Sequence, residues 1–317
     1  METINLQDIF DDAEEVIANQ QVIKELAHYT SIEVLQSIIH SIESSENNND
    51  LVLWATDARN SNDTLELQEG YQFLIESLKS YELIAPEIPE FLRLSIFLTD
   101  AKNSEKYHIY EKEDFLSWFF EGIRTPYIIS FSRKVDNLQM WQKPYGRAGA
   151  GCCLVFDFSR MNYDNSELCV NSPIPIYYKD RLGYLGITSA LTTLIFDEYN
   201  HYLRKISGAE NHDELLEHKL QTIDILFAFI STYIKSDKWH DEQEWRLMCS
   251  TNDEHSDCVK YDNNGRPFVE VSVLLICLKK VILGPKVSPT IVDECSRYAR
   301  LLHLSPDDII KSKEPLR

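Results

Sequence analysis

Three short clusters in the 317-residue chain carry side chains able to do chemistry: His28-Tyr29-Thr30, Ser130-Phe131-Ser132, and Glu242-Gln243-Glu244-Trp245-Arg246. A neutral imidazole offers one donor and one acceptor and titrates close to neutral pH. Side chains at alternate positions of a strand share a face, so Ser130 and Ser132 present two hydroxyls together and Glu242 and Glu244 two carboxylates. Like charges so placed are costly unless solvated or employed. Together the clusters offer a proton carrier, hydrogen-bond donors and a fixed negative charge. Each also has an ordinary use: a histidine that packs or caps a helix, serines that satisfy a strand end, glutamates that pair with Arg246 or Lys238.

The surrounding pattern supplies the elements that must hold them. Leu26–Thr30 is a short extended run that leads through Ser31 and Glu33 into a helix bearing Val34, Leu35, Ile38 and Ile39. Leu51–Thr56, Pro126–Ser132, Cys152–Phe158, 243–250, 267–273 and 278–283 read as strands from their β-branched and aromatic content. Pro173–Tyr178 reads as an edge strand, because proline is tolerated there. Gly146–Gly151 is a glycine-rich turn suited to a tight hairpin, and Asp262–Gly265 a second hairpin turn. Helices are expected over 7–26, from about Asp63 to Tyr81, over 84–97, 114–120, 184–206, 212–236 and 289–302. Strands and helices interleave without a regular βαβ rhythm, which predicts an α+β fold. One elaborated domain over 1–317 accounts for the pattern, with a core at about 25–285 and a helical insertion at about 183–236.

Composition sets limits. Hydrophobic residues are 44% and charged residues 26%, which belong to a globular protein rather than a disordered one. Lys and Arg number 31 against 51 Asp and Glu, a formal net charge of -20. A surface so acidic repels phosphate backbones and anionic membranes on average. Residues 1–8 show neither a basic nor an apolar leader, and no apolar run is long enough to span a bilayer, so a cytoplasmic location is expected. Seven cysteines, an odd count with no CxxC, suit reduced buried thiols.

Phosphate-loop, dinucleotide, nucleophile-elbow and zincin motifs are all missing from the sequence. No metal set is expected: His240-Asp241-Glu242 cannot converge from a strand, and His212 and His218 lie on different faces of a helix. Glu217-His218-Lys219 sits mid-helix, leaving a metal-dependent nuclease as a minor alternative.

Taken in order, HYTS (28–31), LWAT with Asn62, Asp63 and Glu66, SFS (130–132), DNLxMW (136–141), GxGxxLxFD (149–157), KWxxEQEWR (238–246) and VILG (281–284) resemble a bacterial family designated domain of unknown function 2971. Thr64 stands where that family usually has Pro. A second resemblance is to the ADP-ribosyltransferase superfamily: a strand with His-x-Thr before a helix, a central strand ending in Ser-x-Ser, and a late strand with Glu-x-Glu. That resemblance implies a mixed or antiparallel split β-sheet core of ADP-ribosyltransferase type with helical insertions. It makes His28, Ser130 or Ser132, and Glu244 the core positions, with Glu242 as the earlier carboxylate.

NAD would then be the substrate, cleaved at its nicotinamide–ribose bond. The transition state carries positive charge at the anomeric carbon, so a fixed carboxylate stabilises it, and Glu244 is the expected one. Glu242 would orient or deprotonate the acceptor, a protein or nucleic acid, and His28 would hold the ribose or the amide. Tyr29, Thr30, Ser130 and Ser132 would line the dinucleotide, with Trp141 and Tyr145 stacking on its ring. Arg133 and Arg147, in a basic stretch with Lys134 and Lys143, would meet the pyrophosphate. Such an enzyme suits a bacterial toxin or an anti-phage defence effector with a cognate partner or antitoxin. The alternative class is a non-catalytic ligand-sensing or partner-binding module that uses helices 184–236 as its contact surface.

Overall fold

The computed structural model describes residues 25–44, 49–58, 126–160, 168–170, 173–178, 232–251 and 257–315. The chain divides into two compact units, one of residues 22–57, 126–176 and 238–317, the other of 1–21, 58–125 and 177–237. The expected helices at 63–81, 84–97, 114–120 and 184–206 lie outside the described residues, as does all of 7–26 except Glu25 and Leu26, which belong to a strand.

The first unit is built on a mostly antiparallel open sheet, eleven-stranded among the described residues. In chain order its strands are β1 (Glu25–Thr30), β2 (Asp50–Asp57), β3 (Pro126–Ser132), β4 (Cys152–Asp157), β5 (Leu168–Val170), β6 (Ile174–Pro175), β9 (Glu244–Thr251), β10 (Lys260–Tyr261), β11 (Pro267–Leu274), β12 (Leu278–Leu283) and β13 (Ile309–Lys311). The main path runs β10-β11-β2-β3-β1-β4-β12-β13, and β9 pairs with β3, β5 and β6. Among the described residues only β12 and β13 pair in parallel within this sheet. The α+β expectation is met at this level.

β3 is where the sheet divides. One edge pairs with β9 from Pro126↔Ser250 to Ser132↔Glu244. The other edge is shared: β2 takes Tyr127 and Ile128, and β1 takes Ser132 through Ala27. Each strand alternates its side chains between two cores. One face carries Leu26, Ile129, Phe131, Leu154, Phe156, Leu247 and Val281. Helix α1 (Ile32–Ser44) lays Ile32, Leu35, Ile38, Ile39 and Ile42 on this face, apolar residues at helical spacing. Ser31 Oγ accepts from Val34 N at 3.3 Å and starts that helix as the sequence indicated. The opposite face carries Ala27, Tyr29, Cys153, Val155 and Ile282, covered by Met140 and Trp141. Those two come from α2 (Leu138–Gln142), whose N-cap Asn137 accepts from the amides of Gln139 and Met140. The last helix, α3 (Pro289–Arg297), is shorter than expected and ends at Tyr298.

Three expected elements differ. Pro173–Tyr178 is not one edge strand: Ile174–Pro175 pairs with β9, whereas β7 (Tyr177–Tyr178) leaves it. In the second unit β7 pairs in parallel with β8 (Ile234–Lys235), so the end of the expected 212–236 helix is extended instead. The glycine turn before β4 is a tight 3-10 segment over Pro144–Gly149 rather than a simple hairpin, with Arg147, Ala148 and Gly149 all at positive φ. Gly284 packs against it, its amide donating to Gly151 O at 2.8 Å. A Cβ on Gly284 would run into the Gly149 carbonyl. Gly284→Ala is therefore expected to cost about 1–3 kcal/mol, read as a lower urea midpoint.

Candidate functional site

The register fixes which side chains meet. Glu244, Ser132 and Ala27 lie in one row across β9, β3 and β1. Arg246 and Ser130 form the next row on the same face, with Tyr29 beside them by alternation along β1. His28 belongs to the intervening row with Phe131, Trp245 and Leu154, and so to the opposite face. Its ring is tilted against Phe131 at 5.7 Å, and Nδ1 lies 2.9 Å from the carbonyl oxygen of Ser130. A carbonyl only accepts, so Nδ1 holds the proton. The ring bridges the edge of β3 between the point where β1 leaves it and the point where β2 joins. The convergence expected of His28, Ser130 or Ser132, and Glu244 is thus met by the serines and Glu244 but not by the imidazole.

Burial lowers the His28 pKa from 6.5, outweighing the hydrogen bond to Ser130, which raises it. The unfolded chain therefore takes up this proton first as pH falls. The stability held by the neutral ring is complete above 6.5 and declines as pH drops from there through the lowered folded value. In His28→Gln, which keeps a donor for the carbonyl, the loss of Tm between about pH 7.5 and pH 5.5 should be smaller than in the wild type. An unchanged loss would contradict this role.

The expectation that Glu242 and Glu244 stand together on one strand is also corrected. Glu242 ends a 3-10 turn (Asp237–Glu242), Gln243 has φ 43, and β9 starts only at Glu244. The left-handed residue breaks the alternation, so the carboxylates meet different partners. Both are buried. Glu244 takes a bidentate grip from Arg246, with Nε at 2.8 Å and the second guanidinium nitrogen at 3.2 Å. Glu242 Oε1 accepts from Tyr145 Oη at 2.7 Å and lies 3.3 Å from Lys143 Nζ. Tyr145 packs against the core of Tyr29 and Trp141, which places this carboxylate on the side of the sheet that carries Ser132.

Several residues expected to touch a ligand instead build the frame. Tyr29 is buried; its hydroxyl donates to Lys134 O at 2.8 Å and accepts from Asn137 N at 3.1 Å. Its ring meets Trp141 edge-on at 5.0 Å. Trp141 is fully buried, and its Nε1 donates to Asp136 Oδ1. These two rings hold the 133–141 loop on the sheet and are not stacking platforms for a nicotinamide. Ser132 donates to the Glu242 carbonyl at 2.6 Å and accepts from Lys134 N at 3.0 Å, so its one proton fixes the turn that carries the carboxylate. Thr30 closes β1 opposite Cys152.

Ser130, Arg133 and Arg147 are exposed, and Tyr145 is partly exposed. Of the expected basic stretch, Lys134 faces Asp241 at 3.8 Å and Lys143 faces Glu242, which leaves Arg133 and Arg147 as its exposed cations. The Ser31 hydroxyl and, to a smaller degree, Arg147 hold the Glu33 carboxyl below its usual range, so Arg147 lies near the start of α1. Burial pushes the Cys153 and Cys249 thiols up to about 12 and Cys295 to about 11, which argues against thiolate chemistry at these positions. Among the described residues no group of His, Cys, Asp and Glu is arranged to hold a metal ion, and no helix is long and apolar enough to cross a membrane.

Lys143 as a partner of Glu242, and Trp239 beneath the Lys143 ammonium, carry no signal in the sequence. Tyr145 and Glu242 are 97 positions apart, and nothing local joins them. Residues 140–247 match the family model described as protein of unknown function DUF2971. This is the family that the motifs resemble. The match contains Trp141, Lys143, Tyr145 and both carboxylates. Among curated proteins and solved structures, nothing matches the chain.

Proposed function

We infer that the chain is an ADP-ribosyltransferase-like enzyme that cleaves the nicotinamide–ribose bond of NAD. One observation carries this: the strands bearing the histidine, the Ser-x-Ser and the second Glu are consecutive in the sheet, and a buried carboxylate is held beside them by Tyr145 and Lys143. Glu242 is the better candidate for the carboxylate that faces the anomeric carbon. Glu244 has both oxygens on Arg246 and acts as a positioning residue for the start of β9.

The C1′–N bond breaks with its electron pair leaving on the nicotinamide nitrogen. Positive charge appears at C1′ and the ring oxygen, and a preorganised carboxylate stabilises it more than it stabilises the ground state. Ser130, Arg133 and Arg147 are the exposed groups left to bind the dinucleotide, the arginines through its pyrophosphate. The ADP-ribosyl group passes to a macromolecular acceptor, protein or nucleic acid, or to water. A toxin or phage-defence role follows if the acceptor or the NAD pool is essential to the cell. Expression in bacteria tests the reading: cellular NAD should fall, or ADP-ribosylated products accumulate, within the period of growth arrest. Arrest with an intact NAD pool and no modified product would overturn it.

The closed Glu244–Arg246 pair favours a second reading, binding without turnover. NAD that raises the Tm and is recovered unchanged would select it.

A further inference from the structure

Lys143 Nζ lies 4.3 Å from the centroid of the Trp239 ring and 3.3 Å from Glu242 Oε1. The Tyr145 hydroxyl donates to that same oxygen. A second ammonium, that of exposed Lys238, lies 5.6 Å from the same indole centroid. An aromatic face beside a carboxylate is how proteins hold organic cations. The parts of this seat differ in freedom. The Glu242 side chain is 7% exposed and doubly held, whereas the Lys143 side chain is 26% exposed. A lysine stem reaches solvent by rotating its bonds, and its ammonium is strongly hydrated once there.

We propose that Trp239, Glu242 and Tyr145 form a seat for a planar organic cation of the substrate, and that Lys143 is its internal occupant, displaced when substrate enters. Under the reading above, the cation is the pyridinium ring of NAD, seated so that its charge moves toward Glu242 as it passes to the adjoining C1′ when the bond breaks; the seat itself is defined by its geometry alone. Lys143 keeps Glu242 neutralised while the site is empty and gives selectivity, because a neutral ring cannot replace the charge that it removes from the carboxylate. The reduced, uncharged dihydronicotinamide is accordingly a poor ligand.

The test is calorimetric titration of the full chain with 1-methylnicotinamide, a bare pyridinium cation. Lys143→Met should tighten binding about fivefold or more, the reciprocal of the fraction of time the seat stands open in the wild type. Lys134→Met removes the same charge nearby and should leave binding unchanged. Trp239→Leu in the Lys143→Met background should lose the gain. Binding that weakens or stays level in Lys143→Met, tightens equally in Lys134→Met, or is undetectable in every protein overturns the proposal. Tightening by Lys143→Met in a protein that leaves NAD intact keeps the seat and removes the NAD-cleaving reading. Cleavage of NAD with no tightening does the reverse.

Discussion

Arg246→Met is expected to destabilise the fold by about 3–5 kcal/mol. The guanidinium is buried, and it grips both oxygens of a buried carboxylate two residues away on the same strand. Removing it takes a bidentate cation from the Glu244 carboxylate in a site from which water is largely excluded, and removing one partner of a buried pair is strongly destabilising. The position magnifies the effect, because Glu244 opens β9 opposite Ser132, and β9 pairs along the whole of β3. Urea unfolding measures the loss. The double variant Glu244→Leu with Arg246→Met removes both charges and should recover most of it, since hydrophobic replacements of whole pairs are close to neutral or stabilising. A double variant as unstable as the single one would mean that the pair holds something beyond its own charges.

Glu242→Gln is expected to lower the rate of nicotinamide release by about 100- to 1000-fold, the range for loss of one preorganised electrostatic group. Gln keeps the shape and can still accept from Tyr145, so the fold and Tm should change little. The negative charge is what disappears, and with it the group that stabilises the oxocarbenium-like centre. Tyr145→Phe, which removes only the hydroxyl that orients Glu242, should give a smaller loss of kcat. If Glu242→Gln releases nicotinamide at the wild-type rate while Glu244→Gln does not, the roles of the two carboxylates are exchanged.

The strands were legible because their side chains alternate locally. Leu26–Thr30, Pro126–Ser132 and Cys152–Phe158 carry their faces in their own letters, and β1, β3 and β4 follow within a residue or so. Ser31 as a helix start and Asp262–Gly265 as a hairpin were legible for the same reason: the Asp262 carboxylate accepts from Asn264 and Arg266 amides, and Gly265 has φ 75. What failed was whatever depends on pairing. Alternation says that His28 and Tyr29 point opposite ways, but only the register Ala27↔Ser132 shows that the serines side with Tyr29. The two glutamates looked like residues of one strand because nothing in Glu-Gln-Glu announces a left-handed glutamine; φ 43 at Gln243 is imposed by the turn, whose backbone bonds run from Gln243 N to His240 O and from Arg133 N to Gln243 O. β13 escaped notice because three residues are too few to show a period, and its partner β12 lies far back in the sequence. The Glu242–Tyr145–Lys143 cluster, the centre of the functional reading, joins segments about a hundred residues apart and had no local signal. The pairing of Glu244 with Arg246 was the exception, since the two stand on one strand at the spacing that puts them side by side.

The most direct measurement is nicotinamide released over time from NAD by the purified wild-type chain, followed by chromatography with mass detection. Free nicotinamide should appear in step with the loss of NAD, matched by ADP-ribose or by an ADP-ribosylated acceptor. NAD recovered intact, with a lysate-derived protein and nucleic-acid acceptor pool supplied, would contradict it.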